Sequence, residues 1–165
     1  MKRYKPQKRF LQVTLILNIL IIVPLIFRKR PIKDWIIVYT FNAMTNVVID
    51  NILSRKRLIK YPIKMLPKVA DTHLLFDYFL YPTFTVLYNQ WTLKDKIFPI
   101  IFKLFLMTTP AFFIELLAEK KTDMVKWGKK WKWYHTYFSI ISKSLVTRLF
   151  IGIIRWVNKF PERNA

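Results

Sequence analysis

The stretch HLLFDYFLYPTFTVLYNQW, residues 73–91, decides how this chain folds, because polar side chains recur in it at every fourth position. These side chains are His73, Asp77, Tyr81, Thr85 and Asn89. Four-residue spacing places them on one slowly drifting face of an α-helix. The rest of the stretch is apolar and aromatic, as in a segment that spans a membrane. Because polar groups are costly in lipid, we expect this face to lie inside a helix bundle or along a cavity.

A second apolar stretch carries Asn42, Asn46 and Asp50 at the same spacing. If the two helices are antiparallel neighbours, their polar faces align in one seam, with Asp50 level with Asp77, Asn46 with Tyr81 and Asn42 with Thr85. Glu115 falls near the same end of a later apolar stretch, and His73 lies one turn before Asp77. Two interpretations remain open for these residues. They bind an ion or proton, or they pair with nearby Lys and Arg side chains and hold the helix ends together.

Composition excludes several classes of protein. The 165 residues are 53% hydrophobic and 17% aromatic and carry a net charge of +20, with the basic residues mainly in short connectors between apolar stretches. That arrangement suits anionic lipid head groups better than nucleic acid, so no nucleic-acid partner is predicted. There is no cysteine, the two histidines lie in separate regions and only two glycines occur. The sequence therefore predicts no metal site, no phosphate-binding loop and no cofactor.

The apolar stretches predict an all-α, polytopic membrane helix bundle in a single membrane domain, residues 1–165. Four stretches approach the ~20 residues that cross a bilayer core, and we expect transmembrane helices at 10–27, 35–53, 73–91 and 97–118. The last apolar region, 133–157, has one apolar and one polar face. Charged side chains at Lys143, Arg148 and Arg155 make it a costly span, so we favour an amphipathic interfacial helix there, with a fifth span as the alternative.

Basic residues are unevenly divided between the two ends of such a bundle. The segment 1–9 and the connectors 54–72 and 119–132 together hold seventeen Lys and Arg, against six in 28–34 and 92–96. Because cytoplasmic loops are enriched in Lys and Arg, we expect a multi-pass cell-membrane protein with both its N-terminus and its C-terminus in the cytoplasm.

Two basic clusters are candidates for contact with anionic lipids of the cytoplasmic leaflet. One follows the second predicted span, and the other lies in KWGKKWKWY, residues 126–134, a mixture of basic and aromatic residues typical of head-group contacts. The candidate residues are Arg55, Lys56, Arg57, Lys60, Lys126, Trp127, Lys129, Lys130, Trp131 and Trp133.

Several short motifs occur in a characteristic order. They are Arg30-Pro31 with Trp35, Tyr61-Pro62, the block Phe76-Asp77-Tyr78-Phe79-Leu80-Tyr81-Pro82, and Trp131 with Trp133. In this order, over about residues 28–157, the chain resembles an uncharacterised family of small multi-span membrane proteins of spore-forming Gram-positive bacteria. The resemblance implies a bacterial cytoplasmic membrane and no particular activity.

No pattern of catalytic residues accompanies the polar seam. We therefore expect a non-enzymatic membrane component that docks a partner or organises anionic lipid, with a membrane protein or a second copy of the chain as candidate partners. The main alternative is a small proton- or cation-coupled transporter, or a subunit of one, that uses Asp50, Asp77 and Glu115. A lipid-modifying enzyme with a divalent ion at these carboxylates is the third.

Overall fold

Among the residues that the structure describes, five helices and one short β-ribbon make up the fold. The computed structural model describes residues 5–63 and 75–163, with the backbone alone from residue 159 onward. The helices are α1 (Lys5–Arg28), α2 (Ile32–Arg55), α3 (Tyr81–Trp91), α4 (Ile97–Lys121) and α5 (Trp133–Arg163), and a π-helical turn, Phe76–Leu80, leads directly into α3. Strands β1 (Ile59–Lys60) and β2 (Lys126–Trp127) follow α2 and α4. The prediction of an all-α membrane bundle is confirmed.

Helix α3 is the centre of the bundle, in contact with each of the other four helices. Most of its residues are buried, and many of them are polar: Thr83, Thr85, Asn89 and Gln90 are all at most 7% exposed. The polar face predicted for residues 73–91 therefore lies inside the protein. Thr83 and Gln90 donate to groups of α1, whereas Thr85 and Asn89 donate to carbonyls of α3 itself.

The π-helical turn is explained by Pro82, the second residue of α3. Proline has no N–H, so one carbonyl in the preceding turn loses its helical donor, and π-helical geometry changes the pairing of its neighbours. Two side chains of α2 replace the missing donors. Tyr39 donates its hydroxyl to the carbonyl of Tyr78 (2.7 Å), and Asn46 donates its amide to the carbonyl of Asp77 (3.1 Å). These bonds fix α2 against the start of α3.

Helices α2 and α5 lie side by side and run in opposite directions. Arg155 pairs with Asp34 at one end, and Thr147 donates a hydrogen bond to Asn42 (3.1 Å) near the middle. The rings of Phe41 and Phe150 stack with centroids 4.2 Å apart. The two helices therefore accompany each other over most of the length of α2.

The outside of the bundle is apolar, and its inside combines apolar clusters with many polar side chains. Large apolar side chains are exposed on α1, α2, α4 and α5, among them Leu20, Met44, Phe102 and Leu149, each more than half exposed. A soluble protein rarely exposes contiguous apolar surface on this scale. Helices α1, α2 and α4, together with Trp133–Asn158 of α5, are long and apolar enough to cross a bilayer. The chain is a multi-pass membrane protein.

The apolar and polar faces predicted for the last helix are both present in α5. Polar residues of α5, such as Thr136, Ser144 and Thr147, are buried against the bundle, whereas Phe138, Leu149 and Trp156 point outward. The amphipathic pattern was real, but its polar face packs against protein rather than water. The alternative, a further span, fits this arrangement.

The predicted third span, 73–91, lies only partly within the described residues. It begins at His73, which lies outside the described residues, and its described helical part consists of a five-residue π-helical turn and the eleven residues of α3. That part is shorter than each of the four long apolar helices. A helix that is enclosed by neighbouring helices does not need to be as long as they are. Since α5 runs antiparallel to α2, the start of α1 and the end of α5 lie at opposite ends of the bundle. A cytoplasmic position for both termini depended on the interfacial placement.

The β-ribbon joins the two basic connectors at one end of the bundle. β1 and β2 are antiparallel, with Ile59 opposite Trp127 and Lys60 opposite Lys126. Gly128 extends the ribbon by donating its N–H to the carbonyl of Leu58 (2.8 Å). A Cβ on Gly128 would lie 2.4 Å from the carbonyl oxygen of Arg57, so only glycine fits this close approach.

The topology predicts on which side of a membrane single cysteines react. The chain has no native cysteine, so Lys60→Cys, Lys94→Cys and Asn158→Cys each introduce one exposed thiol. With α5 crossing beside α2, we expect the thiols at positions 94 and 158 to react with an impermeant maleimide from one side, and the thiol at position 60 from the other. Reaction at 158 on the same side as 60 would restore the interfacial placement of α5.

Candidate functional site

Three carboxylates meet in one cavity at the end of the bundle that carries the β-ribbon. The cavity measures about 100 Å³ and is lined by Asp50 of α2, Asp77 of the π-helical turn and Glu115 of α4. Lys143 of α5 also lines it. Its volume is sufficient for several ordered water molecules. The expectation that these three acids lie at one depth therefore matches their positions, and we call this space the inner cavity.

Asp50 and Asp77 are held by the elements around them. Tyr61, in the connector after β1, donates its hydroxyl to Asp50 at 2.5 Å. Burial raises the pKa of Tyr61 above its ordinary value, and the nearby carboxylates, first of all Asp50, raise it further. The phenol therefore stays protonated and acts as a donor. Both aspartates are at most 6% exposed. The π-helical turn that positions Asp77 is itself fixed by Asn46.

Glu115 and Lys143 complete the walls of the inner cavity. The indole of Trp127 and the hydroxyl of Thr136 face the Glu115 carboxylate. The Lys143 ammonium lies over the ring of Tyr81, 5.1 Å from its centroid, with Asp77 and Asp50 as its nearest charges. Its nitrogen is buried and makes no hydrogen bond to the described residues. Carboxylates and an amine around one small space can exchange protons or hold a small cation.

The middle of the predicted seam is built from three helices rather than two. Asn42 accepts from Thr147 of α5 instead of facing Thr85. Tyr81 donates to the carbonyl of Ile140 (3.2 Å) and shares a hydrogen bond with Ser144 (3.1 Å), both on α5. Asn46 bonds to the carbonyl of Asp77, not to Tyr81. The polar residues were recognised from spacing, but the third helix that satisfies them was assigned to the interface.

A buried ion pair at the opposite end was not expected from the sequence. Arg155 contacts Asp34 at 2.5 Å, and the Asp34 side chain is 1% exposed. The guanidinium also lies over the ring of Trp35, 5.1 Å from its centroid. Arg148, seven residues earlier in α5, donates to the carbonyl of Thr92 at the end of α3 (2.8 Å). Two of the three charges that make a span costly, Arg148 and Arg155, are thus paired with protein groups.

Helix α1 is also tied to α3 by polar contacts that sequence reasoning missed. Thr83 donates to Asn18 (3.0 Å), and Gln90 donates to the carbonyl of Leu25 (2.7 Å). Asn18 stands in the middle of an otherwise apolar helix, and that isolation was the available signal. An amide facing lipid would be costly, so a partner in a neighbouring helix is expected.

The candidate lipid contacts come together at the end of the bundle that holds the inner cavity. We use the name basic platform for the Lys and Arg side chains on and beside the β-ribbon: Arg55, Lys56, Arg57, Lys60, Lys126, Lys129 and Lys130. All except Lys126 are exposed. Trp133 is also exposed, whereas Trp127 and Trp131 are half-buried against the bundle. Trp131 donates its indole N–H to Thr136 (2.8 Å).

The remaining chemistry-bearing residues do not extend the site. His73 lies outside the described residues. His135 accepts from the N–H of Lys132 (3.1 Å) and stacks on Trp131 and Tyr134, so it belongs to the start of α5. Among residues 5–63 and 75–163, no three His, Asp or Glu side chains are arranged to hold a metal ion. Comparison with family models, curated proteins and solved structures gave no match.

Two ion pairs, Arg155–Asp34 and Lys103–Asp95, lie at the end opposite the inner cavity. We expect them to differ in the folding free energy that is lost when one partner is removed. Arg155→Leu leaves a buried, unpaired Asp34, which typically costs ~3–5 kcal/mol of folding free energy. The double variant Asp34→Leu with Arg155→Leu removes both charges and is expected to recover much of that loss. Unfolding in mixed detergent micelles, followed by circular dichroism, measures both.

Lys103→Leu is the matched control for this comparison. Lys103 pairs with Asp95 at 2.7 Å, but both side chains are 22% exposed. An ion pair that keeps partial access to solvent is less costly to break than one with a fully buried partner, so this variant should cost less than Arg155→Leu. Equal costs for Arg155→Leu and Lys103→Leu would contradict a structural role for the buried pair.

Proposed function

We propose that this protein is a non-enzymatic membrane component that gathers anionic phospholipids at the cytoplasmic surface through its basic platform. The observation that carries the proposal is the β-ribbon, which brings the two basic connectors together and sets Lys60 directly opposite Lys126. Like charges opposite each other weaken a strand pair. The Lys126 ammonium donates to the carbonyl of Glu119 (2.8 Å) and lies 4.0 Å from Asp123, so the protein itself relieves part of that repulsion. The exposed cations of the platform remain open to phosphate groups at a membrane surface, which lie within reach of connectors that end transmembrane helices.

The charge distribution supports a cytoplasmic position for the platform. The segment 1–9 and the connectors 54–72 and 119–132 together hold seventeen of the 29 Lys and Arg residues of the chain, an excess typical of cytoplasmic segments. The N-terminal end of α1 is then cytoplasmic, and the end of α5 lies on the other side. In the bacterial cytoplasmic membrane that the family resemblance implies, phosphatidylglycerol is a fitting anionic lipid. Each Lys or Arg near such a surface contributes about 1 kcal/mol.

Lipid enrichment around the protein tests the platform. In nanodiscs that contain equal amounts of phosphatidylglycerol and phosphatidylcholine, we expect phosphatidylglycerol to be enriched beside the wild-type protein, as measured by spin-labelled lipids. Replacing Lys56, Lys60, Lys129 and Lys130 with Gln should remove most of the enrichment. Replacing Arg28, Arg30, Lys94 and Lys96, equally exposed at the other end, should leave it largely unchanged, since only the platform concentrates charge on a ribbon. Equal effects of the two sets would refute the proposal.

A second pair of variants tests the ribbon without changing any charge. Gly128→Ala introduces a Cβ that overlaps the carbonyl of Arg57, so it should separate the strands and weaken enrichment. Gly152→Ala is the control, because nothing lies within 4 Å of its Cβ in α5. If Gly128→Ala keeps full enrichment, the ribbon is not needed and a docked protein partner becomes the better use of the basic surface.

Transport is a second candidate, favoured by the inner cavity. Asp50, Asp77, Glu115 and Lys143 surround a space of about 100 Å³, and intramembrane ionisable groups often mark ion or proton pathways. A small proton- or cation-coupled carrier, or a subunit of one, would use these carboxylates as binding sites.

Flux across proteoliposomes decides whether the inner cavity conducts. If it does, wild-type protein should carry protons or Na⁺, and Asp77→Asn should abolish the flux because the amide cannot ionise. Asp123→Asn, in the connector before β2 and outside the lining of the cavity, should retain the flux. Absence of flux in folded wild-type protein, across pH and common cations, would leave the cavity as packing between helices.

A further inference from the structure

An open notch of about 540 Å³ lies between the C-terminal part of α4, strand β2 and the start of α5. Its apolar walls are Phe112 and Leu116 of α4, Trp127 of β2 and Trp133 of α5. The rings of Phe112 and Trp133 lie with their centroids 6.2 Å apart, and Trp133 is 56% exposed. Because α4 ends and α5 begins here, the notch lies at the level of the lipid head groups, where Trp side chains are enriched in membrane proteins.

Two cations and one acid also line the notch. Lys120 and Lys132 are both exposed, and neither ammonium forms an ion pair with a side chain of residues 5–63 or 75–158. Glu119 is the acid, and its backbone carbonyl accepts from Lys126 of β2, which holds the strand against the end of α4. Two ammonium groups and one carboxylate give this lining a net positive charge.

We propose that the notch binds the head group of one anionic phospholipid of the phosphatidylglycerol type, with its phosphate between Lys120 and Lys132. A phosphodiester carries one negative charge, which balances the net positive charge of the lining. The hydroxyl groups of a glycerol head group can donate to Glu119, whereas the quaternary ammonium of phosphatidylcholine has no hydrogen to donate. The acyl chains would follow the outer side of α4, where Phe113 and Leu117 are more than half exposed.

The notch proposal rests on the proposed function and deepens it, from a general enrichment of anionic lipid to one defined site. Its two lysines lie outside the basic platform, so the two proposals can be tested separately. A phospholipid matches both the cations and the apolar walls, whereas an acidic peptide matches the cations alone. A second copy of the chain would bring further lysines to the same place, and like charges there would repel.

Native mass spectrometry of protein released from detergent tests the cations of the notch. Supplied with equal amounts of phosphatidylglycerol and phosphatidylcholine, the wild-type protein should retain one phosphatidylglycerol. Lys120→Gln with Lys132→Gln should reduce the preference for phosphatidylglycerol about 25-fold, since each Lys near an anionic group contributes about fivefold. Lys94→Gln with Lys96→Gln removes two exposed lysines at the opposite end and should leave the preference unchanged.

The aromatic wall is tested by Trp133→Ala, which should weaken retention of phosphatidylglycerol several-fold because it removes the exposed side of the notch. Trp156→Ala is the matched control, since it removes an indole of similar exposure, 63%, from the same helix outside the lining. Equal loss of lipid in the two variants would contradict a role for Trp133 in the site.

Other outcomes would overturn the notch altogether. They are equal retention of both lipids by the wild type, an unchanged preference in the folded Lys120→Gln and Lys132→Gln variant, a dimer in place of a lipid adduct, and tighter binding of a peptide of glutamates than of lipid. Nanodisc enrichment without a retained lipid would refute the notch and preserve the platform. One retained phosphatidylglycerol without nanodisc enrichment would do the reverse.

Discussion

The enclosure of a polar helix within an apolar bundle is the constraint on which this structure depends. Helix α3 carries more hydrogen-bonding side chains than lipid can accept, and neither lipid nor water reaches its centre. Thr85 and Asn89 donate to carbonyls of α3 itself, and neighbouring helices supply partners for other groups. Asn18 of α1 accepts from Thr83, the Ile140 carbonyl of α5 accepts from Tyr81, and Arg148 of α5 donates to the carbonyl of Thr92. Each of these bonds fixes the position of another helix relative to α3. Polar contacts therefore determine how the helices are arranged, and apolar contacts fill the space between them.

Proline has a constructive part in this arrangement. Pro82 removes a backbone donor where α3 begins, and the π-helical turn before it leaves the carbonyls of Asp77 and Tyr78 facing α2. Asn46 and Tyr39 satisfy them. The same turn directs Asp77 into the inner cavity. The π-helical turn thus positions the Asp77 carboxylate and joins α2 to α3. This explains why the ionisable residues cluster at this level of the bundle.

The two ends of the bundle differ in chemistry. At one end Asp34 and Arg155 form a closed pair with little exposed surface. At the other, acids and Lys143 surround a cavity beneath a basic surface formed by the ribbon. Buried pairs of the first kind contribute to a specific arrangement of helices more than to net stability. The second end combines the inner cavity with the exposed cations of the basic platform.

The sequence by itself determined the membrane environment, the helical class and the polar faces of α2 and α3, because apolar length and four-residue spacing are local properties. It also located Asp50, Asp77 and Glu115 at one level. Only the tertiary structure decided which helices satisfy those faces. The polar face of α5 fits water as well as a protein interior when read alone, and the Asp34–Arg155 pair joins residues far apart in the chain. The β-ribbon, too, was decided only by the tertiary structure. Each strand has two residues, and its register is set by pairing with the other strand.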